Sequence, residues 1–132
     1  MELPQLFHGV VVHGLGRGHK TLGFPTANLS PDKWSIHVTE SDYGVFCGLV
    51  KIGTDPLRIG VLSIGKNLTF NDEKPSFEVH ILDFDGDLYG VEIEVNVTHF
   101  LRPMISFRSI DQLILQIKAD LEDSRKLLKN MF

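Results

Sequence analysis

Runs of β-branched and aromatic residues, divided by short turn signals, restrict the possible folds of this chain more than any other feature. They cover residues 7–13, 43–52, 57–64, 76–84 and 89–100, and such residues suit a pleated, half-buried surface. In the last run the period is two. Val91, Ile93, Val95 and Val97 fall on one face and Glu92, Glu94 and Asn96 on the other, the pattern of a strand with one side in a core. Gly53-Thr54-Asp55-Pro56, Asn71-Asp72-Glu73-Lys74-Pro75 and Asp85-Gly86-Asp87 separate the runs and read as turns, the last as a hairpin joining the two longest strands. Connections this short imply antiparallel neighbours, and five or six such strands close most readily into a small barrel.

After Arg102-Pro103 the period changes to that of a helix. Ile110, Leu113, Ile114, Ile117 and Leu121 form an apolar stripe, with Asp111, Lys118, Glu122 and Lys126 opposite. Ser109 and Gln112 make a capping-box pattern at its start. The stripe is expected to pack on the barrel. Residues 31–42 read as a polar connection with one tryptophan, and no repeat or linker divides the chain.

With 132 residues, a single domain over 1–132 is expected. Thirteen Lys and Arg against seventeen Asp and Glu give a net charge of −4, which argues against a general nucleic-acid binder. The lone cysteine, Cys47, excludes an intramolecular disulfide and a cysteine zinc cluster, fits a reducing compartment, and sits in an apolar run as a packing residue. No apolar run approaches the ~18 residues of a membrane span. Glu2 and Pro4 do not resemble a secretory signal. A cytoplasmic monomer with no membrane partner is expected.

Chemistry concentrates between Gly14 and Asn28. Gly14, Gly16, Gly18 and Gly23 suit a loop whose N–H groups wrap an anion, and Arg17 and Lys20 add charge for phosphate oxygens. Thr26 and Asn28, two apart, offer a hydroxyl and an amide oxygen on one side of an extended segment, suited to a hard cation. A Walker loop is excluded: His19 precedes Lys20, and Leu22-Gly23-Phe24-Pro25 is poor material for a first helical turn. Gly-x-Gly-x-Gly without a following helix is not a dinucleotide fingerprint. A glycine-rich connection that binds nothing fits the same residues.

The second feature is Ser76-Phe77-Glu78-Val79-His80-Ile81. In a strand, Glu78 and His80 share the face opposite Phe77, Val79 and Ile81. Glu78 fits either a solvent-facing side of a sheet or a general base held on a rigid element. His80 is read as a structural hydrogen-bonding residue. His8, His13, His19, His37 and His99 show no i, i+4 ligand pair, so a histidine zinc site is not expected.

Taken in order, these blocks resemble the riboflavin kinase family: Gly14-x-Gly-Arg-Gly, Leu22-Gly-Phe-Pro-Thr-Ala-Asn-Leu29, Tyr43-Gly-Val, Ser63-Ile-Gly65 with Asn67 and Phe70, Ser76-Phe-Glu-Val-His-Ile-Leu-Asp-Phe84, Asp87-Leu-Tyr-Gly90, Leu101-Arg-Pro103, Phe107 and Gln116-Ile-x-x-Asp120. The resemblance spans essentially the whole chain. It implies a mainly β fold, a six-stranded antiparallel Greek-key barrel with a C-terminal α-helix packed on it. The implied reaction moves the ATP γ-phosphate to the ribityl 5′-hydroxyl of riboflavin, giving FMN and ADP. By the same resemblance Glu78 is the base, and Thr26 and Asn28 hold Mg²⁺, with Zn²⁺ or Mn²⁺ as substitutes. Gly14, Gly16, Arg17, Gly18, Lys20, Gly23, Pro25 and Thr26 contact ATP, and Arg102 and Phe107 lie on the flavin side. The implied partners are small-molecule substrates alone.

Three positions depart from the family's usual residues: Leu68 for proline, Met104 for glutamate and Phe46 for tyrosine. The first is expected to loosen a turn and the second to weaken closure over the flavin, altering kinetics more than abolishing activity. An idle flavin- or nucleotide-binding barrel is the alternative if closure fails. A second, nucleotidyltransferase activity has no room in this length. An oligonucleotide-binding barrel has the wrong charge, and Gly60-Val-Leu-Ser63-Ile-Gly65 does not match a hydrolase nucleophile elbow.

Overall fold

A computed structural model describes residues 1–13, 23–66 and 74–131. Six strands, β1 (Gln5–Val12), β2 (Ala27–Leu29), β3 (Gly44–Ile52), β4 (Arg58–Gly65), β5 (Ser76–Ile81) and β6 (Glu92–Arg102), pair antiparallel in the closed order β1-β2-β5-β4-β3-β6. Closure removes the exposed edges an open sheet would present. Among the described residues two α-helices accompany the barrel, α1 (Pro31–Trp34) and α2 (Ile110–Leu128).

Alternation fills the interior. Phe7 and Val11 from β1, Leu29 from β2, Phe46 and Val50 from β3, Leu62 and Ile64 from β4, Phe77, Val79 and Ile81 from β5, and Ile93, Val95 and Val97 from β6 form one core. Phe7 and Trp34 pack against Phe77, the former edge-on at 5.2 Å between ring centroids. Strand β3 is buried on both faces, because α2 covers its outer side. Cys47, Leu49 and Leu128 make that second, smaller core. Strand β3 meets β6 closely across a register shift beside Gly48, where a side chain would run into the Asn96 carbonyl.

The expected barrel and helix are present, with five local corrections. Asp85-Gly86-Asp87 is not a hairpin: β5 is flanked by β2 and β4, and β6 by β1 and β3, so the two never pair. The segment between them crosses the barrel end instead. It is bent by positive φ at Asp83 (56°) and Gly90 (80°) and fastened to β1 by Gly90 N–H to the Val11 carbonyl. For the same reason β5 stops at Ile81 and β6 begins at Glu92, leaving Val91 outside the strand and 38% exposed. Residues 31–42 are more ordered than a polar connection suggests: Trp34 is buried and its indole donates to the Leu29 carbonyl at 3.1 Å.

On α2 the buried face runs through Leu113, Asp120, Ser124 and Leu128. Ile110, first in the helix, is 43% exposed and lies off that face. The N-cap forms by half. Ser109 accepts from the Gln112 N–H, but Gln112 Oε1 reaches the Arg108 N–H rather than that of Ser109.

Candidate functional site

Strand pairing carries one line of residues round the barrel. Val12 stands opposite Asn28, Asn28 opposite Glu78, Glu78 opposite Ser63, Ser63 opposite Val45, and Val45 opposite Arg102. Directly opposed residues of antiparallel strands share a face. Their chain neighbours Val11, Leu29, Phe77, Leu62, Ile64 and Phe46 fill the interior, so this line lies on the barrel's outer surface.

Thr26, two residues before Asn28, joins the same side, and its hydroxyl donates to Glu78 Oε1 at 3.4 Å. The three oxygen-bearing side chains therefore meet across β2 and β5, each half-buried. His80, also an outward residue of β5, places Nδ1 2.7 Å from the Pro25 carbonyl oxygen. A carbonyl only accepts, so that ring nitrogen carries the proton. The contact, with Phe24 edge-on to the imidazole at 5.8 Å, pins the segment leading into β2. Gly23 begins that segment with φ +84°, a conformation glycine adopts without strain.

Pro25, Thr26, Asn28 and Glu78 form one wall of a cleft of about 660 Å³, in the size range of small-molecule sites. The crossover from Phe84 to Tyr89 lines the opposite side, and Val11, Val12, His13, Ala27, Val79 and Ile81 complete the lining. His13 and Tyr89 stack with ring centroids 3.8 Å apart and planes 14° from parallel, and the Tyr89 N–H is held by Asp87 Oδ1 at 2.9 Å. The carboxylates among the described lining residues are Glu78, Asp85 and Asp87, and neither lysine nor arginine joins them. A phosphorylated ligand there needs cationic charge from elsewhere.

Among the described residues no group of three or more His, Cys, Asp or Glu is placed to hold a metal. A cation at Thr26 and Asn28 would take most of its ligands from substrate oxygens and water, and the hydroxyl and amide oxygens available fit a hard ion that retains water.

Arg102 and Phe107 also come together, at the far end of the line. The guanidinium carbon lies 5.6 Å from the Phe107 ring centroid. Arg102 Nε donates to both oxygens of Asp120 at 3.1 Å, and Nη2 donates to Oδ2 at 2.9 Å. Met104 lies near Ser63, whose hydroxyl points at its sulfur from 3.6 Å.

Gly14, Gly16, Arg17, Gly18 and Lys20 lie outside the described residues, as do Leu68, Asn67 and Phe70. Sequence reasoning missed the crossover wall, because Asp85-Gly86-Asp87 reads as a turn wherever it leads. It also gave Asp120 no role. The available signal was a carboxylate four residues before Ser124 on the face of α2 that carries Leu113 and Leu128.

The family model "Flavokinase: Riboflavin kinase" matches residues 1–128. Riboflavin kinase of Homo sapiens is 36% identical over 129 residues, 97% of this chain and 83% of its own length. Riboflavin kinase from Trypanosoma brucei aligns with a TM-score of 0.70 at 28% identity, covering 94% of this chain and 76% of that one. A Streptococcus pneumoniae chain described as a macrolide-efflux protein aligns with a TM-score of 0.76 at 40% identity, covering 92% of this chain and 38% of its own length. Among the described residues no helix is long and apolar enough to cross a membrane. With the closed barrel and its C-terminal helix matched in a riboflavin kinase structure, and the family model covering all but the last four residues, the chain belongs to the riboflavin kinase family.

Proposed function

We propose that this protein transfers the γ-phosphate of ATP to the terminal ribityl hydroxyl of riboflavin, giving FMN and ADP, with Glu78 as general base. The observation that carries the reading is the meeting of Thr26, Asn28 and Glu78 on paired strands at the wall of one cleft. A carboxylate that must take a proton from an incoming hydroxyl needs a fixed position more than an unusual environment. Glu78 has that position, between two core residues of a ladder-bonded strand.

Thr26 and Asn28 would hold Mg²⁺, which when bound neutralises and aligns the nucleotide phosphates. In a cleft whose described carboxylates include Glu78, Asp85 and Asp87, that neutralisation is a requirement. The stretch with Gly14, Gly16, Arg17, Gly18 and Lys20, immediately before this wall in sequence, would supply amide and cationic contacts to the phosphates, with Gly23 and Pro25 at its end. Arg102 and Phe107 would face the flavin. In the reaction the hydroxyl proton passes to Glu78, the freed oxygen bonds to the γ-phosphorus, and the bond from that phosphorus to the bridging oxygen breaks to release ADP.

The test is chromatography of riboflavin incubated with the protein, ATP and Mg²⁺. FMN and ADP should appear in equal amounts, stop with EDTA and resume when Mg²⁺ is restored. Flavin or ADP binding without FMN would replace the kinase with an idle binding barrel.

A further inference from the structure

We propose that Asp120 is a positioning residue for the flavin: from inside α2 it orients the Arg102 guanidinium so that the remaining edge and flat face of that group meet the acceptor substrate. The inference rests on the assignment of Arg102 to the flavin side.

Asp120 is 3% exposed in the middle of a helix, where a carboxylate is rarely found without a partner. Both its oxygens are engaged, by Arg102 Nε and Nη2 and by Gln116 Nε2 at 3.0 Å from Oδ1. This grip takes one whole edge of the guanidinium and leaves Nη1, 3.4 Å from the Pro103 carbonyl. The guanidinium carbon then lies over the Phe107 ring. The pair is asymmetric: the Arg102 side chain keeps 16% of its surface and Asp120 4%. The carboxylate is hidden, while the cation it holds reaches the surface.

A merely structural role is a poor explanation of this arrangement. Leu113 and Leu128 already bury α2, the latter against Cys47 and Leu49, and a buried ion pair used only as a fastener is commonly replaceable by apolar residues without loss. Arginine on a flexible stem loses much rotational freedom when it binds a planar ligand, and a bidentate carboxylate removes that freedom beforehand.

The test compares the wild type with Asp120→Asn by quenching of flavin fluorescence, which needs no turnover, and by the KM for ATP. The variant should raise the flavin Kd about tenfold and leave the KM for ATP within about twofold. In an Arg102→Ala background the same change should add nothing to the flavin Kd, because the residue acts through Arg102. Gln116→Leu removes one hydrogen bond to Asp120 and should weaken flavin binding about threefold; it serves if Asp120→Asn does not fold. A lowered melting temperature with unchanged flavin Kd would make Asp120 a fastener and overturn the inference. A wild type that binds no flavin overturns the kinase reading and this inference together, whereas wild-type binding matched by the variants overturns this inference alone.

Discussion

Replacing Glu78 by glutamine tests the proposed chemistry with little else disturbed. Phe77 and Val79, each 0% exposed, hold β5 on either side of it, and the main-chain ladders to Asn28 and Ser63 do not involve the side chain. Glutamine has nearly the same shape and keeps an acceptor oxygen for the Thr26 hydroxyl. That contact is long at 3.4 Å, so its disturbance costs less than ~1 kcal/mol, and stability should change by no more than that. What glutamine cannot do is accept the hydroxyl proton. General-base catalysis contributes ~10²–10⁴-fold, equivalent to about 2.7–5.5 kcal/mol on the barrier. The expected outcome is a fall in kcat of that size with the KM for ATP within about threefold. Initial FMN formation should be followed together with single-turnover rates, since slow product release can hide a change in the chemical step. A single-turnover rate within about threefold of the wild type would refute the assignment, because no rearrangement of β5 is available to supply another base at the same position.

Three further outcomes follow from the fold. Cys47 is 0% exposed and burial raises its thiol pKa, so a thiol reagent at pH 8 should label it only as fast as the protein unfolds; rapid labelling of native protein would contradict its place under α2. Gly48→Ala would drive a Cβ into the Asn96 carbonyl and should cost about 3 kcal/mol or more in denaturant unfolding; a variant as stable as the wild type would mean that β3 and β6 can part at their register shift. The Arg125 guanidinium holds the Asp83 carboxyl below its usual range through two hydrogen bonds. A depressed carboxyl stabilises above its unfolded pKa of about 3.9 and loses that stabilisation as pH falls through the folded value. Asp83→Asn should therefore be slightly less stable than the wild type at pH 7, with the gap closing as the pH falls through the folded pKa, as measured by thermal melts; a gap that does not narrow in acid would rule out the ion pair as its cause.

Strand periodicity made the barrel legible because closure demands what alternation records: one face of every strand goes inward. Thr26, Asn28 and Glu78 were legible for the same reason. Period two put the first pair on one side and Glu78 opposite the core of its own strand, and only the pairing of β2 with β5 had to be added. That pairing is non-local and leaves no local mark. The Asp85-Gly86-Asp87 turn failed as a hairpin because turn chemistry specifies a bend, not which strand receives the chain afterwards. Ile110 failed as a core residue because a helical stripe is a direction, and its exact heading depends on the surface it meets. Asp120 was noted only as part of the Gln116-Ile-x-x-Asp120 block, without a partner, because a carboxylate among apolar positions shows no purpose until Arg102, eighteen residues earlier, is placed beside it.

The division of labour in the site follows from where the chain is bonded. Strand β2 has only three residues, too few to hold a ligand set rigid alone. Yet it is ladder-bonded on both sides, its Leu29 is buried, the Trp34 indole holds the Leu29 carbonyl, and His80 holds Pro25 just ahead of it. The oxygens assigned to cation and proton thus sit on backbone with little freedom, which is where a positioning-dominated reaction needs them. The walls that would admit substrates, the crossover from Phe84 to Tyr89 and the stretch following Arg102, lie at strand ends. The crossover is bonded to β1 by the Gly90 N–H to the Val11 carbonyl, and each segment is also tied by side chains: Asp83 by Arg125, and Arg102 by Asp120. Both ties end on α2. The helix therefore covers β3 and also contacts both of these segments, so that, on the proposed assignment, damage to α2 should impair substrate binding before it alters the proposed base on β5.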